Sequence, residues 1–351
     1  MSSDFLIIGG GVIGMSIARE LRKRGVGSIS IVDKGRVGAE ASWAAAGMLA
    51  PNAECHADDE LFRLCTACNA LYPTFAAGLF DETGIDIELD RTGTISLAFT
   101  EEEAAELDAK FQWQQNAGIA VEKLLANEIQ KLEPAISPKV HSGYRYPNDW
   151  QVENRKLVAA LRKYCEMNGI ELIENTAIND CNGIKAENII FTAGAWSNDL
   201  LPSPEVKPIR GQMIRLAAAD SRILRHVIYS PRGYLVPRAD GRVLVGATVE
   251  DVGFRKEVTP AAIAALKSAA EEIAPSLGNV DIAESWAGLR PFVEGEIPMI
   301  GRVPHLENAF VATGHYRNGI LLAPITAKMI ADEIIGTSKF GVPASAGSVN
   351  R

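Results

Sequence analysis

The chain is short of cysteine, of positive charge and of long apolar runs. Only five cysteines occur in 351 residues, and none follows Cys181. A sparse, odd-numbered set crowded into the first half makes no disulfide framework and fits a reducing compartment. Basic residues are outnumbered 35 to 44, for a net charge of −9. An acidic chain repels phosphate backbones, so nucleic acid is not an expected partner. The longest apolar candidate, residues 320–334, is interrupted by Pro324, Lys328, Asp332 and Glu333. It falls short of the about eighteen uninterrupted apolar residues that a membrane span requires. Residues 1–4 carry no basic group and the apolar run 5–8 passes straight into glycines, so no signal peptide is expected. The expectation is a cytoplasmic protein. Metal is not expected either: Cys65 and Cys68 have no second pair, and adjacent Cys55 and His56 do not complete a tetrahedral site.

What is present is an ordinary globular composition, 47% hydrophobic and 23% charged. The length fits two domains of about 100–200 residues each. The opening predicts a strand, a helix over 12–24 and a second strand ending at Asp33. A loop of small residues is expected over 34–58, a helix over 60–80, two strands between 81 and 100, and helices over 101–117 and 121–132. Residues 134–147 read as connecting chain. A helix over 154–168 and strands at 170–174 and 188–192 follow. Alternation with turn signals over 206–249 predicts an antiparallel sheet. The rest reads as a helix over 259–273, strands at 280–286 and 309–312, a helix over 319–335 and a loose tail. Parallel βα units stand at the start, middle and end, with antiparallel segments between them. The predicted fold is α/β: a Rossmann-like domain, residues 1–85, 150–204 and 286–351, interleaved with a mixed antiparallel-sheet domain, residues 86–149 and 205–285.

Gly9-Gly10-Gly11-Val12-Ile13-Gly14 fits G-x-G-x-x-G between a strand and a helix. Gly9 allows the tight turn, Gly11 lets a pyrophosphate approach the backbone, and Gly14 lets helix and strand pack closely. The N–H groups at the helix start, from Val12 and Ile13 onward, favour an anion. Asp33 stands about twenty residues on, where a carboxylate accepts from a ribose hydroxyl and repels a 2′-phosphate. There is a single fingerprint, so a second nucleotide site is not expected. The small residues at 41–48, Ala41-Ser42-Trp43-Ala44-Ala45-Ala46-Gly47-Met48, let backbone lie against a large flat ligand. These features favour FAD.

One arginine calls for an anion. Arg290, in Gly288-Leu289-Arg290-Pro291, follows an apolar strand, and a buried guanidinium needs a partner. Glu284, Glu294 or a substrate carboxylate would each serve. Residues 314–319, Gly314-His315-Tyr316-Arg317-Asn318-Gly319, lead into a helix whose first turn, at Gly319, Ile320 and Leu321, would stabilise negative charge on a reduced flavin.

With residues 9–14, Asp33, 42–48 and 53–55, the segments 192–197, 234–238, 286–291 and 314–324 resemble the flavin-dependent amine oxidases of the D-amino-acid oxidase and glycine oxidase group. The resemblance extends to about residue 336. It implies that Arg290 anchors a substrate carboxylate, with Tyr234 and Arg317 beside it, and that Met48 and Val249 wall the pocket. Valine replaces the methionine often found at the last position. It also places Lys34, Ala41, Ser42, Ala46, Gly47, Met48, Ile178, Gly194, His315, Tyr316, Arg317 and Asn318 at the cofactor. FAD should be non-covalent, because no late cysteine is available. The implied reaction is hydride transfer from the Cα of glycine, sarcosine or a small D-amino acid to flavin, with O2 then giving hydrogen peroxide. The imine product would hydrolyse or pass to a thiazole-forming enzyme of thiamine biosynthesis. The resemblance also implies a homo-oligomer. An amino-acid dehydrogenase using another acceptor, or a non-catalytic FAD-binding protein, are the other readings.

Overall fold

Phe5, Leu6, Ile7 and Ile8 are all buried, because the strand that carries them, Ser2–Ile8, is covered on both faces. This is the signature of a strand inside a parallel sheet. Phe5 and Ile7 face one cluster, with the helices Val12–Lys23, Asn154–Met167 and Gly319–Ile335. Leu6 and Ile8 face another, with Val32, Phe191 and Val311. The computed structural model describes residues 2–55, 57–179, 185–203, 205–217, 223–304 and 306–336. The expected loose tail, Cys181 and His56 lie outside them.

Among the described residues the architecture is α/β with two large sheets. The six-stranded sheet runs in the order Met299–Arg302, Ala309–Thr313, Lys185–Phe191, Ser2–Ile8, Ile29–Val32, Glu171–Ile173. Its pairs are parallel except the first, where Met299–Arg302 turns back on Ala309–Thr313. A nine-stranded mixed sheet holds Lys207–Leu216, Gly233–Pro237 and Thr94–Ala98 among others. Strand Ile282–Phe292 pairs along Lys207–Leu216 in that sheet and so crosses residue 286, the boundary expected between domains. A third ladder, Met48–Leu49 with Trp150–Gln151, ties the small-residue loop to the start of helix Asn154–Met167. No described helix is long and apolar enough to cross a membrane.

Several local expectations change. The helix expected over 60–80 is two, Glu60–Asn69 and Tyr72–Thr83. Pro73 lacks an N–H and its ring would clash with the preceding turn, so it stands in the first turn of a new helix. Residues 121–132 divide into strand Glu122–Leu125 and helix Ala126–Leu132. The Glu128 carboxylate accepts the Leu125 N–H at 2.8 Å and sets the boundary. The connecting chain at 134–147 contains strand Ser142–Tyr146, sandwiched between Thr94–Ala98 and Glu122–Leu125 and burying Tyr144 and Tyr146. Between 81 and 100 there is one strand, Thr94–Ala98. Residues 206–249 are not purely antiparallel, because Val227–Ser230 pairs in parallel with Thr94–Ala98. The loop at 34–58 includes the short helices Ala41–Ala44 and Pro51–Glu54. Strand Met299–Arg302 was not expected.

Candidate active site

The strand expected to stop near 286 continues to Phe292, so Arg290 sits within a strand rather than after one. Pairing with Ile209 fixes its height in the sheet. The side chain lines a cavity bounded by both sheets. Its Nη1 donates to the Thr248 carbonyl at 3.1 Å. Among the described residues no carboxylate pairs with it. Glu284, one of the internal partners considered above, is held instead by Arg155, bidentately at 3.0 Å, and by Arg215 at 3.0 Å. Apart from a side-chain hydrogen bond with Tyr234, the remaining Arg290 donors are available to a carboxylate in the cavity.

Around Arg290 the cavity gathers Tyr234, Arg317, Met48 and Glu54. Tyr234 projects from strand Gly233–Pro237, and its hydroxyl contacts Met213 Sδ at 3.7 Å. Burial raises its phenol pKa, opposed by the Arg290 charge, so it remains a neutral donor. Arg317 differs from Arg290 in having a carboxylate already, Glu296 at 3.3 Å. Glu54 was not foreseen. It ends the four-residue helix Pro51–Glu54, and burial raises its carboxyl pKa against the charges of Arg317, Lys110 and Arg290. A four-residue helix leaves no periodic trace in a sequence. Val249 falls outside the cavity. It is 66% exposed, while the carbonyl of the preceding residue faces Arg290.

The same cavity is lined by the phosphate-binding elements. Gly9, Gly11, Val12 and Ile13 line the cavity and Gly14 lies behind it. Asp33 accepts from the N–H of Gly10 and of Gly35, each at 2.8 Å, and holds the fingerprint loop in shape while itself lining the cavity. Ser42 Oγ accepts the Val12 N–H at 2.9 Å, a link the motif alone does not reveal. Lys34 lies over the Trp196 ring at 3.5 Å. Ala41, Ser42, Ala46, Gly47, Ile178 and Gly194 also line the cavity. So do His315, Tyr316, Gly319 and Ile320, whereas Asn318 and Leu321 do not. The N–H groups of Ala46 and Gly47 donate to no acceptor among the described residues. Glycine cradle, ribose-side carboxylate, unpaired N–H groups and the start of helix Gly319–Ile335 all fit FAD.

His315 is buried and shares a hydrogen bond with Thr326 Oγ1 at 3.0 Å. Burial pulls its pKa down to about 3, so it is neutral at working pH and is not a source of positive charge for the flavin. A histidine depressed in the folded state stabilises fully above its unfolded pKa of about 6.5 and loses that contribution as pH falls toward 3. Between about pH 7 and pH 5 it therefore accounts for a loss of roughly 2 kcal/mol. Urea unfolding of wild type and His315→Gln at both pH values should show the wild type losing that much more than the variant. Equal losses would contradict a buried neutral imidazole.

Comparison with known proteins agrees with the geometry. A family model described as FAD dependent oxidoreductase (DAO) matches residues 4–333. A bifunctional protein ThiO/ThiG of Trichormus variabilis is 37% identical over 352 residues, 95% of this chain and 53% of that protein. The chain thus spans about half the length of such relatives. Glycine oxidase of Geobacillus kaustophilus is 35% identical over 348 residues, covering 94% of this chain and 92% of that one. The crystal structure of a Geobacillus kaustophilus glycine oxidase superposes with a TM-score of 0.94 at 33% identity and covers 100% of both chains. With the fingerprint, the cavity and these matches in agreement, the chain belongs to the DAO family of FAD-dependent oxidoreductases.

Proposed function

We propose that the chain catalyses oxidative deamination of glycine and small amines such as sarcosine and small D-amino acids. The observation that carries this reading is Arg290, a cavity-lining arginine with no carboxylate partner among the described residues. Its fork would hold a substrate carboxylate bidentately, and Tyr234 would add a hydrogen bond. Fixing one end of a two-carbon amino acid aims its Cα–H, which is catalysis by orientation. Met48 would limit the size of the side chain admitted. Bound FAD would accept the hydride and pass the electrons to O2, giving hydrogen peroxide. The reaction calls for a neutral substrate amine and for no protein base.

The unit would comprise a cofactor-holding domain, residues 1–85, 150–204 and 286–351, and a substrate domain, residues 86–149 and 205–285, with strand Ile282–Phe292 carrying Arg290 across the last boundary into the substrate sheet, in a cytoplasmic homo-oligomer. The imine product would be hydrolysed or handed to a thiazole-forming enzyme. The name of the bifunctional relative, in which a chain like this makes up about half, supports such a hand-over. The competing reading is a dehydrogenase that delivers electrons elsewhere. Assays of peroxide and oxo acid with glycine, sarcosine and D-alanine in air separate the two. Equal amounts of peroxide and oxo acid are expected. Oxo acid formed only with an added electron acceptor would replace the oxidase by the dehydrogenase.

A further inference from the structure

Arg238 is 3% exposed and follows directly on strand Gly233–Pro237. Its Nη2 donates to the Ala46 carbonyl at 2.9 Å and to Asn154 Oδ1 at 3.1 Å. Nη1 donates to Gln151 Oε1 at 2.9 Å and to the Val152 carbonyl at 2.8 Å. All four acceptors are neutral, and among the described residues no carboxylate contacts the guanidinium. Its Nε has no hydrogen-bond partner. Burial pulls its pKa down to about 10, so it still carries its charge at neutral pH. A buried cation without a contacting anion is costly, and stability alone would favour an apolar side chain.

Where the charge sits gives the cost a purpose. The Ala46 carbonyl and the Gly47 N–H belong to one peptide unit. That unit is held rigidly. Gly47 has φ +72°, and a Cβ there would lie 2.1 Å from the Val152 carbonyl oxygen. The Gly47 carbonyl accepts the Val152 N–H at 2.9 Å. Arg238 grips both sides of this pairing, through Ala46 and through Val152. Ala46 and Gly47 line the cavity, and their N–H groups have no acceptor among the described residues. A cation on a peptide oxygen polarises the unit and strengthens its N–H as a donor.

We propose that Arg238 is a positioning residue for the cofactor: acting through the Ala46–Gly47 peptide, it presents a polarised N–H and a fixed positive charge to bound flavin and so favours the reduced, anionic form. Preorganised dipoles and buried charge are the protein's means of tuning a cofactor. The inference depends on FAD being held in this cavity and not on which amine is oxidised.

The test is a reductive titration of the holoprotein against a redox dye, without substrate. Arg238→Gln keeps an amide donor for the Ala46 carbonyl and removes the charge. Its equilibrium constant for two-electron flavin reduction should fall at least tenfold, about 30 mV. Arg238→Lys keeps the charge and should stay near the wild-type value. If the glutamine variant does not accumulate as folded protein, Gln151→Glu sets a carboxylate against Nη1 and should give the same tenfold fall. Variants that all reduce like the wild type, or lysine and glutamine variants shifted equally, would overturn the proposal. A charge-independent structural clamp predicts that equal shift. Wild-type protein that oxidises none of the amines, with the reduction equilibrium of the variants still following charge, would count against the substrate reading alone.

Discussion

Replacing Arg290 by alanine should leave a yellow protein that scarcely binds amino acids. The KM for glycine is expected to rise at least about 100-fold, or roughly 3 kcal/mol, the usual range for removing one partner of a buried charge-assisted pair. FAD affinity should stay unchanged, because Arg290 projects from a strand of the nine-stranded sheet, while the fingerprint loop follows strand Ser2–Ile8 of the six-stranded sheet. The prediction distinguishes Arg290 from Arg317. Arg317 already has Glu296 at 3.3 Å, so its loss should cost less binding. Arg290→Lys should recover only part of the affinity, since an ammonium does not reproduce the bidentate fork. Steady-state kinetics of the three variants check the order. An alanine variant with wild-type KM and kcat would remove Arg290 from the site.

Gly14→Val should give a colourless and less stable protein. A Cβ at Gly14 would lie 2.1 Å from the Gly9 carbonyl oxygen and 2.8 Å from Thr192 Oγ1. The first contact is backbone, so no rotamer relieves it. Helix Val12–Lys23 must move off strand Ser2–Ile8, and the phosphate-binding turn moves with it. Overpacking of this kind costs about 1–3 kcal/mol or more. The flavin absorbance of purified protein, together with its unfolding midpoint, provides the check. A variant as yellow and as stable as the wild type would show that close packing at this glycine does not matter.

The parts of the structure that could be read from sequence are those built by neighbours in the chain. Gly9, Gly11 and Gly14, with Asp33 beyond them, specify a strand, a turn and a helix through local sterics, and the cavity forms there. The Arg290 cavity position was legible through resemblance, but the length of its strand was not. Residues 287–292 gain their strand conformation from pairing with Lys207–Leu216, about eighty positions earlier, which no local window contains. The parallel pairing of Val227–Ser230 with Thr94–Ala98 was hidden for the same reason. Val249 was misplaced because resemblance identified the segment near Arg290 without the direction of each side chain. In an extended chain, neighbouring side chains point opposite ways. Glu54 and Arg238 lie in segments that carry the resemblance, but their roles were not legible because their surroundings come from distant segments: Lys110 and Arg317 in one case, Ala46 and Gln151 in the other.

The central claim is that this cavity holds FAD together with a small amino acid, the latter by its carboxylate on Arg290. Anaerobic titration of the purified holoprotein with glycine, sarcosine and D-alanine, followed by admission of air, tests it most directly. Loss of the oxidised flavin spectrum with at least one of these amines, and its return in air with peroxide formed, is the predicted result. A flavin that none of them bleaches, in protein that still binds FAD, would contradict the account.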